Sequence, residues 1–223
     1  MVKRILPTRT DRLIALSLLV TVAGTALAAL LAQPALFGVT ALIVIVGLIG
    51  GWVWTRDPRL GWLLPFGLVV GFLELWSDWI HVAYLRTLVY TDYFGFRLLA
   101  SPSYMPVGWW LTAVQFGYIA LRLRERWSIG LVVALVALLG MGIPPWYEEF
   151  AAPAMAWHYQ TSGPILGHTP LWIILTYGGC MFSIAMAALE FYRPGDWIRS
   201  LLGGFFAAGG VMFSAVFWFA LLG

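Results

Sequence analysis

Apolar residues run through this chain in long unbroken blocks, with no two-residue alternation and few polar interruptions. The blocks lie at about 13–33, 36–54, 61–84, 104–121, 128–144, 170–190 and 201–222. Most approach or exceed the roughly 20 residues that a helix needs to cross about 30 Å of hydrocarbon. The first, Leu13 to Leu31, is almost wholly apolar or small and ends at Gln33-Pro34-Ala35. Arg56-Asp57-Pro58-Arg59 closes the second block with a polar, proline-bearing turn. The third opens with Gly61 and carries Gly67 and Gly71, a small-residue face suited to close helix packing, with Pro65 in its first half. The fourth starts near Met105-Pro106 and ends at Arg122. The fifth stops at Pro144-Pro145, and the sixth begins at Pro170. The last carries Gly203-Gly204 and Gly209-Gly210. The expected fold is an all-α polytopic membrane protein, a single seven-helix bundle over residues 1–223.

Composition strengthens that expectation. Hydrophobic residues make up 61% of 223 positions and charged residues 10%, against roughly 25% charged in a typical soluble domain. The formal charge of +3 does not mark a nucleic-acid binder, because the basic residues sit at block ends. Their distribution sets an orientation instead. With the N-terminus in the cytoplasm, eleven of the thirteen basic residues fall on the inner side: Lys3, Arg4, Arg9, Arg12, Arg56, Arg59, Arg122, Arg124, Arg126, Arg193 and Arg199. Only Arg86 and Arg97 remain outside. The C-terminus is then expected on the outer side and the location is the inner, or cell, membrane. The first block follows a basic stretch as a signal peptide would, but it is long and spans follow at once, so a retained helix is expected. One cysteine, Cys180, allows no internal disulfide.

Two outer connections, 85–103 and 145–169, are long, aromatic and polar, whereas the inner ones are short. Each follows an acidic cluster and leads to a proline-marked helix start, Ser101-Pro102 to Trp109 and Gly163-Pro164 to Trp172. This is the outline of a tandem repeat of about three helices, an arrangement that often frames a binding site.

The candidate chemistry lies next to these connections. Glu74, Asp78 and His81 are spaced four and three apart and share one helix face. Carboxyls in a spanning segment seldom face lipid, and two on adjacent turns cannot easily both ionise, so one is expected to keep a proton for donation. The alternatives are helix-pinning polar contacts or pairing with arginine. The second cluster is Glu148 and Glu149 after Pro144-Pro145, followed by His158. Without tertiary contacts these two acids read equally as a solvated loop end. Trp76, Tyr104, Trp109, Trp146, Trp157 and Tyr159 are candidate substrate-contacting rings, although an aromatic belt at the headgroups accounts for such residues too. The last block lacks the lysine of a retinal Schiff base, and no phosphate-binding glycine loop, His-x-x-x-His or paired-cysteine motif occurs. Neither a cofactor nor a metal is expected. Aromatic faces beside a protonated carboxyl suit carbocation chemistry on an apolar substrate.

Three stretches carry a family resemblance: Glu74 with Tyr90 and Pro102 to Trp109; Pro144-Pro145-x-x-Glu148-Glu149; and Trp157-x-Tyr159 running to Gly167-x-x-Pro170. In these, covering about residues 74–180, the chain resembles the membrane carotenoid hydratases, heterodimer-type lycopene cyclases and fungal membrane terpene cyclases. The resemblance implies an intramembrane enzyme that cyclises, hydrates or isomerises an isoprenoid or other apolar lipid by acid-initiated chemistry. Its partners would be that lipid substrate and the membrane, with no nucleic acid. In that reading Glu74 and Asp78 are the acid and its partner, Glu148 or Glu149 the second acid–base group, and His81 and His158 tune protonation. A proton-coupled or small-solute transporter and a non-catalytic accessory protein are the rival expectations.

Overall fold

Thr8 starts the first helix by accepting from the Asp11 backbone N–H, while the Asp11 side chain accepts from the Thr8 N–H, a reciprocal cap. In the computed structural model, which describes residues 7–91, 96–160 and 163–223, that helix is α1 (Arg9–Leu31). Lys3 and Arg4 lie outside the described residues. Next come α2 (Ala35–Thr55) and α3 (Pro58–Trp79), the latter capped by Asp57 with Pro58 in its first turn, where a missing N–H costs nothing. α3 runs unbroken through Pro65 and ends in a π-helical turn, Ile80–Tyr84. The remaining helices are α4 (Met105–Leu123), α5 (Ile129–Gly142), α6 (Pro144–Ala151), α7 (Leu171–Phe191) and α8 (Trp197–Leu222).

Among the described residues six stretches are long and apolar enough to cross a membrane: α1, α2, α3 with its π turn, α5 with α6, α7 and α8. α4 is not among them. It is wrapped by α2, α3, α5 and α7, and Val114, Gln115 and Phe116 are fully buried on it. A helix shielded from lipid by its neighbours can carry polar residues that a lipid-facing one cannot. The fifth block also corrects the expectation. It does not stop at Pro144-Pro145, because those prolines occupy the opening positions of α6, and the rod continues to Ala151. Glu148 and Glu149 therefore stand on a helix and not on a loop end.

The outer surface of the bundle is apolar, unlike that of a water-soluble one. On α1, Thr10, Ser17, Thr21 and Thr25 are buried while Leu16, Leu19 and Leu30 are exposed. α8 exposes Phe205, Phe206 and Phe213 and buries Ser200 and Ser214. Such an outer surface is stable against lipid and not against water. The chain is a membrane protein.

Two ends of the bundle are distinct. At one, Asp11 of α1 pairs with Arg122 of α4 at 2.9 Å, and Glu125 is held by both Arg122 and Arg59. At the other lie, among the described residues, six short strands in three antiparallel pairs. β2 (Arg97–Leu98) pairs with β3 (Ser101–Pro102), and β5 (Ile165–Leu166) with β6 (Thr169–Pro170). β1 (Leu88–Tyr90) pairs with β4 (Trp157–Tyr159), setting Tyr90 opposite Trp157 and Val89 opposite His158. Each long connection thus repeats one order, a helix, a strand, a small hairpin and a further helix, and the two strands join the repeats. α3 and α4 pack most closely where Gly71 meets α4. A Cβ there would lie 2.1 Å from the Pro106 carbonyl oxygen.

Candidate functional site

The face of α3 that carries Glu74, Ser77, Asp78 and His81 turns inward, onto a cavity with about 1080 Å³ of atom-free space including its mouth. The opposite walls come from α1, α2, α4, α6, α7, α8 and the β1–β4 pair. Among the described residues no arginine or lysine lines it.

Among the described residues three carboxyls reach this cavity, all buried, and their hydrogen bonding differs. Asp78 Oδ2 accepts from Tyr90 Oη at 2.6 Å and from Ser101 Oγ at 2.7 Å. Glu148 Oε2 accepts from Trp157 Nε1 at 2.7 Å and Tyr159 Oη at 2.9 Å, and its Oε1 accepts from the Tyr177 hydroxyl. Glu74, 3% exposed, neighbours Asp78, and its Oε2 has no hydrogen-bond partner. Burial, reinforced by the adjacent carboxylates, pushes the Tyr90 and Tyr159 phenols well above their ordinary range. Both therefore remain O–H donors towards Asp78 and Glu148 at any physiological pH. The tandem connections supply these donors in parallel, with a tyrosine from each strand on a helix acid. Ser101 bonds Asp78 where its counterpart Thr169 bonds Glu149.

The aromatic wall is dense. Tyr104, Trp109, Trp157 and Tyr159 all line the cavity. Trp109 stacks on Tyr177 at 5.8 Å, and His81 stacks on Trp172 at 4.9 Å. Of the twelve residues singled out in the sequence, Glu74, Asp78, His81, Glu148 and these four rings converge here.

The other four do not. Glu149, one residue beyond Glu148, points about 100° away and binds the β5–β6 turn through the His168 N–H at 3.0 Å and the Thr169 hydroxyl. His158 is exposed, because successive strand residues face opposite ways and Trp157 and Tyr159 take the inner side. Trp76 and Trp146 are 49% and 58% exposed. Each sits two residues from an inward acid, hence on the opposite side of its helix. Among the described residues no group of three or more His, Cys, Asp or Glu side chains converges as metal ligands.

A family model described as a domain of unknown function (DUF6989) matches residues 75–222. The chain belongs to the DUF6989 family. The DUF6989 match covers Asp78, Glu148 and every ring of the cavity wall named above, and it begins one residue after Glu74. No curated protein and no solved structure matches the chain.

Sequence reasoning left out the α7 wall. Trp172, Thr176 and Cys180 all line the cavity and stand four residues apart, the spacing of one helix face. That spacing was a readable signal. Thr87 and Ser101, which hold His81 and Asp78, carried no such signal, because their positions depend on how the connections fold back.

Proposed function

We propose that this protein is an intramembrane enzyme that transforms an isoprenoid or similarly apolar lipid by acid-initiated cyclisation, hydration or isomerisation. The observation that carries the reading is the contrast among the three buried carboxyls. Asp78 and Glu148 are claimed by fixed donors, while Glu74 keeps an unpartnered oxygen in an aromatic-walled cavity. In this reading Glu74 carries the proton that starts the reaction. Delivered to an alkene carbon, that proton leaves the O–H bonding pair on Glu74, and the alkene π pair forms the new C–H bond. The resulting cation is stabilised by ring faces such as Trp109 and Tyr177. Loss of a proton to a carboxylate ends a cyclisation or isomerisation, and capture by water ends a hydration. The absence of arginine and lysine from the described walls favours an uncharged substrate over a diphosphate. The resemblance to the membrane carotenoid hydratases and terpene and lycopene cyclases belongs to the same reading.

The proposal includes seven crossings, with the N-terminus in the cytoplasm of a cell, or inner, membrane. Supporting it, α4 runs from the hairpin end, where Tyr104 lines the cavity, to the ion-paired end, where Arg122 meets Asp11. The basic excess lies at that ion-paired end.

The test is Glu74→Gln and Asp78→Asn, expressed in isoprenoid-producing hosts and then assayed on the product-forming substrate. Each should fold, insert and lose about 10²-fold or more in turnover, the scale of positioned general acid catalysis. Wild-type turnover by the double amide variant would sink the reading.

Proton-coupled transport is the second reading, favoured by one seam. Gln115, fully buried, donates to Ser17 Oγ at 3.0 Å, and its Oε1 is unpartnered. It stands between Thr112 at the cavity and Tyr118, which donates to Asp11 at 2.9 Å at the charged end. Proton uptake by proteoliposomes that depends on both Glu74 and Gln115 would favour transport over catalysis.

A further inference from the structure

The cavity walls hold more unpaired polar atoms than its carboxyl chemistry uses. His81 Nε2, Trp172 Nε1, Thr176 Oγ1 and Tyr147 Oη are all buried without a hydrogen-bond partner, and all four residues line the cavity. Unsatisfied donors and acceptors in a lipid-embedded protein are costly, so such a group marks where something else binds.

Three of the four form one wall. Trp172 and Thr176 are one turn apart on α7. The His81 ring stacks on Trp172 with an interplanar angle of 18°, and Phe219 closes edge-on against both rings. His81 and Trp172 are 4% and 1% exposed. Thr87 Oγ1 lies 2.9 Å from His81 Nδ1 and donates to the His81 carbonyl oxygen at 3.5 Å. In the ring tautomer with its proton on Nδ1, Nε2 is an acceptor. Trp172 Nε1–H can only donate. An acceptor and a donor on two stacked rings, with the Thr176 hydroxyl one turn of α7 from Trp172, complement a group that both gives and takes a hydrogen bond. No lysine or arginine among the described walls would hold an anion, and buried carboxyls repel one.

We infer that this wall is the seat of a hydroxyl group, so that the ligand of the cavity is an apolar alcohol, with its O–H on His81 Nε2 and its oxygen accepting from Trp172 Nε1–H. The inference rests on the cavity proposed above as the reaction site and names the class of molecule that fills it. It makes the α7 wall the device that fixes which end of the lipid lies where, and hence which double bond reaches Glu74.

The test is binding without turnover. Purified full-length protein in detergent is titrated with farnesol, geranylgeraniol and a sterol, each beside its hydroxyl-free hydrocarbon and its aldehyde or ketone, and affinity is read from thermal stabilisation. At least one alcohol should bind about tenfold or more tighter than its hydrocarbon, and also tighter than the acceptor-only carbonyl analogue. Trp172→Phe, which keeps the ring and removes the N–H, should bring alcohol and hydrocarbon to within about twofold. No binding by any alcohol, equal binding of alcohol and hydrocarbon, or a carbonyl analogue that binds as tightly as the alcohol would each overturn the inference. So would an undiminished preference in the Trp172→Phe protein. If that variant does not fold, the wild-type panel decides alone. These outcomes leave the acid reading standing, because Glu74→Gln tests turnover and touches no group of this wall.

Discussion

Replacing Glu148 by alanine removes the acceptor of three hydrogen bonds at once. Trp157 Nε1, Tyr159 Oη and the Tyr177 hydroxyl all converge on that carboxyl, and they come from β4 and α7 while Glu148 stands on α6. The substitution leaves buried donors without partners, each costing about 1–3 kcal/mol. Even at the lower bound the three together cost about 3 kcal/mol, before any contribution from the space vacated. In a chain of this size, about 2–4 °C per kcal/mol makes that a fall of about 6–12 °C in the unfolding midpoint. Glu148→Gln behaves differently. Its amide oxygen still accepts from Trp157 and Tyr159, and the Tyr177 hydroxyl can rotate to accept from the amide nitrogen, so most of the loss is avoided. The assay is thermal unfolding of purified protein in one detergent, followed by tryptophan fluorescence. An alanine variant that melts within about one degree of wild type would refute the reasoning, since the three donors would then have other partners; about 1 kcal/mol is the smallest single cost expected. Equal losses in the alanine and glutamine variants would also refute it, because the acceptor oxygen would not be the group that matters.

Gly71→Ala should destabilise by about 1–3 kcal/mol and also slow turnover, because the new Cβ lies 2.1 Å from the Pro106 carbonyl oxygen and forces apart the helix that carries Glu74. Gly47→Ala, whose Cβ meets nothing within 4 Å, is the matched control, and equal melting points for the two would count against the close α3–α4 contact. In a Cys180→Ala background, single cysteines at Arg124 and Gly195 should react from the cytoplasm and those at Leu99 and Leu166 from outside. Reversed labelling would invert the orientation. His158→Ala and Trp76→Ala, both outside the cavity, should retain activity within about twofold, as surface substitutions usually stay within about 0.5 kcal/mol. A large loss in turnover would extend the site beyond its present walls.

The sequence alone determined the features that depend on local chemistry. Long apolar blocks cannot stay in water, so the membrane class and seven of the eight described helices were legible, α6 being the exception, as was the inward face of α3 from the spacing of Glu74, Asp78 and His81. That Trp157, His158 and Tyr159 form a strand, and which side of it faces in, was not legible. Three things were decided only by tertiary structure. Pro144-Pro145 reads locally as a stop, and becomes a helix start only because α6 packs on α1 and α5. α4 was legible as a helix, but not its shielding from lipid by α2, α3, α5 and α7. The difference among the three acids is the deepest of these. Glu74, Asp78 and Glu148 are chemically alike as residues, and what distinguishes them is which donors the two connections bring when β1 pairs with β4. That pairing joins residues 71 positions apart, Leu88 to Tyr159, and no local periodicity encodes a contact at such a distance.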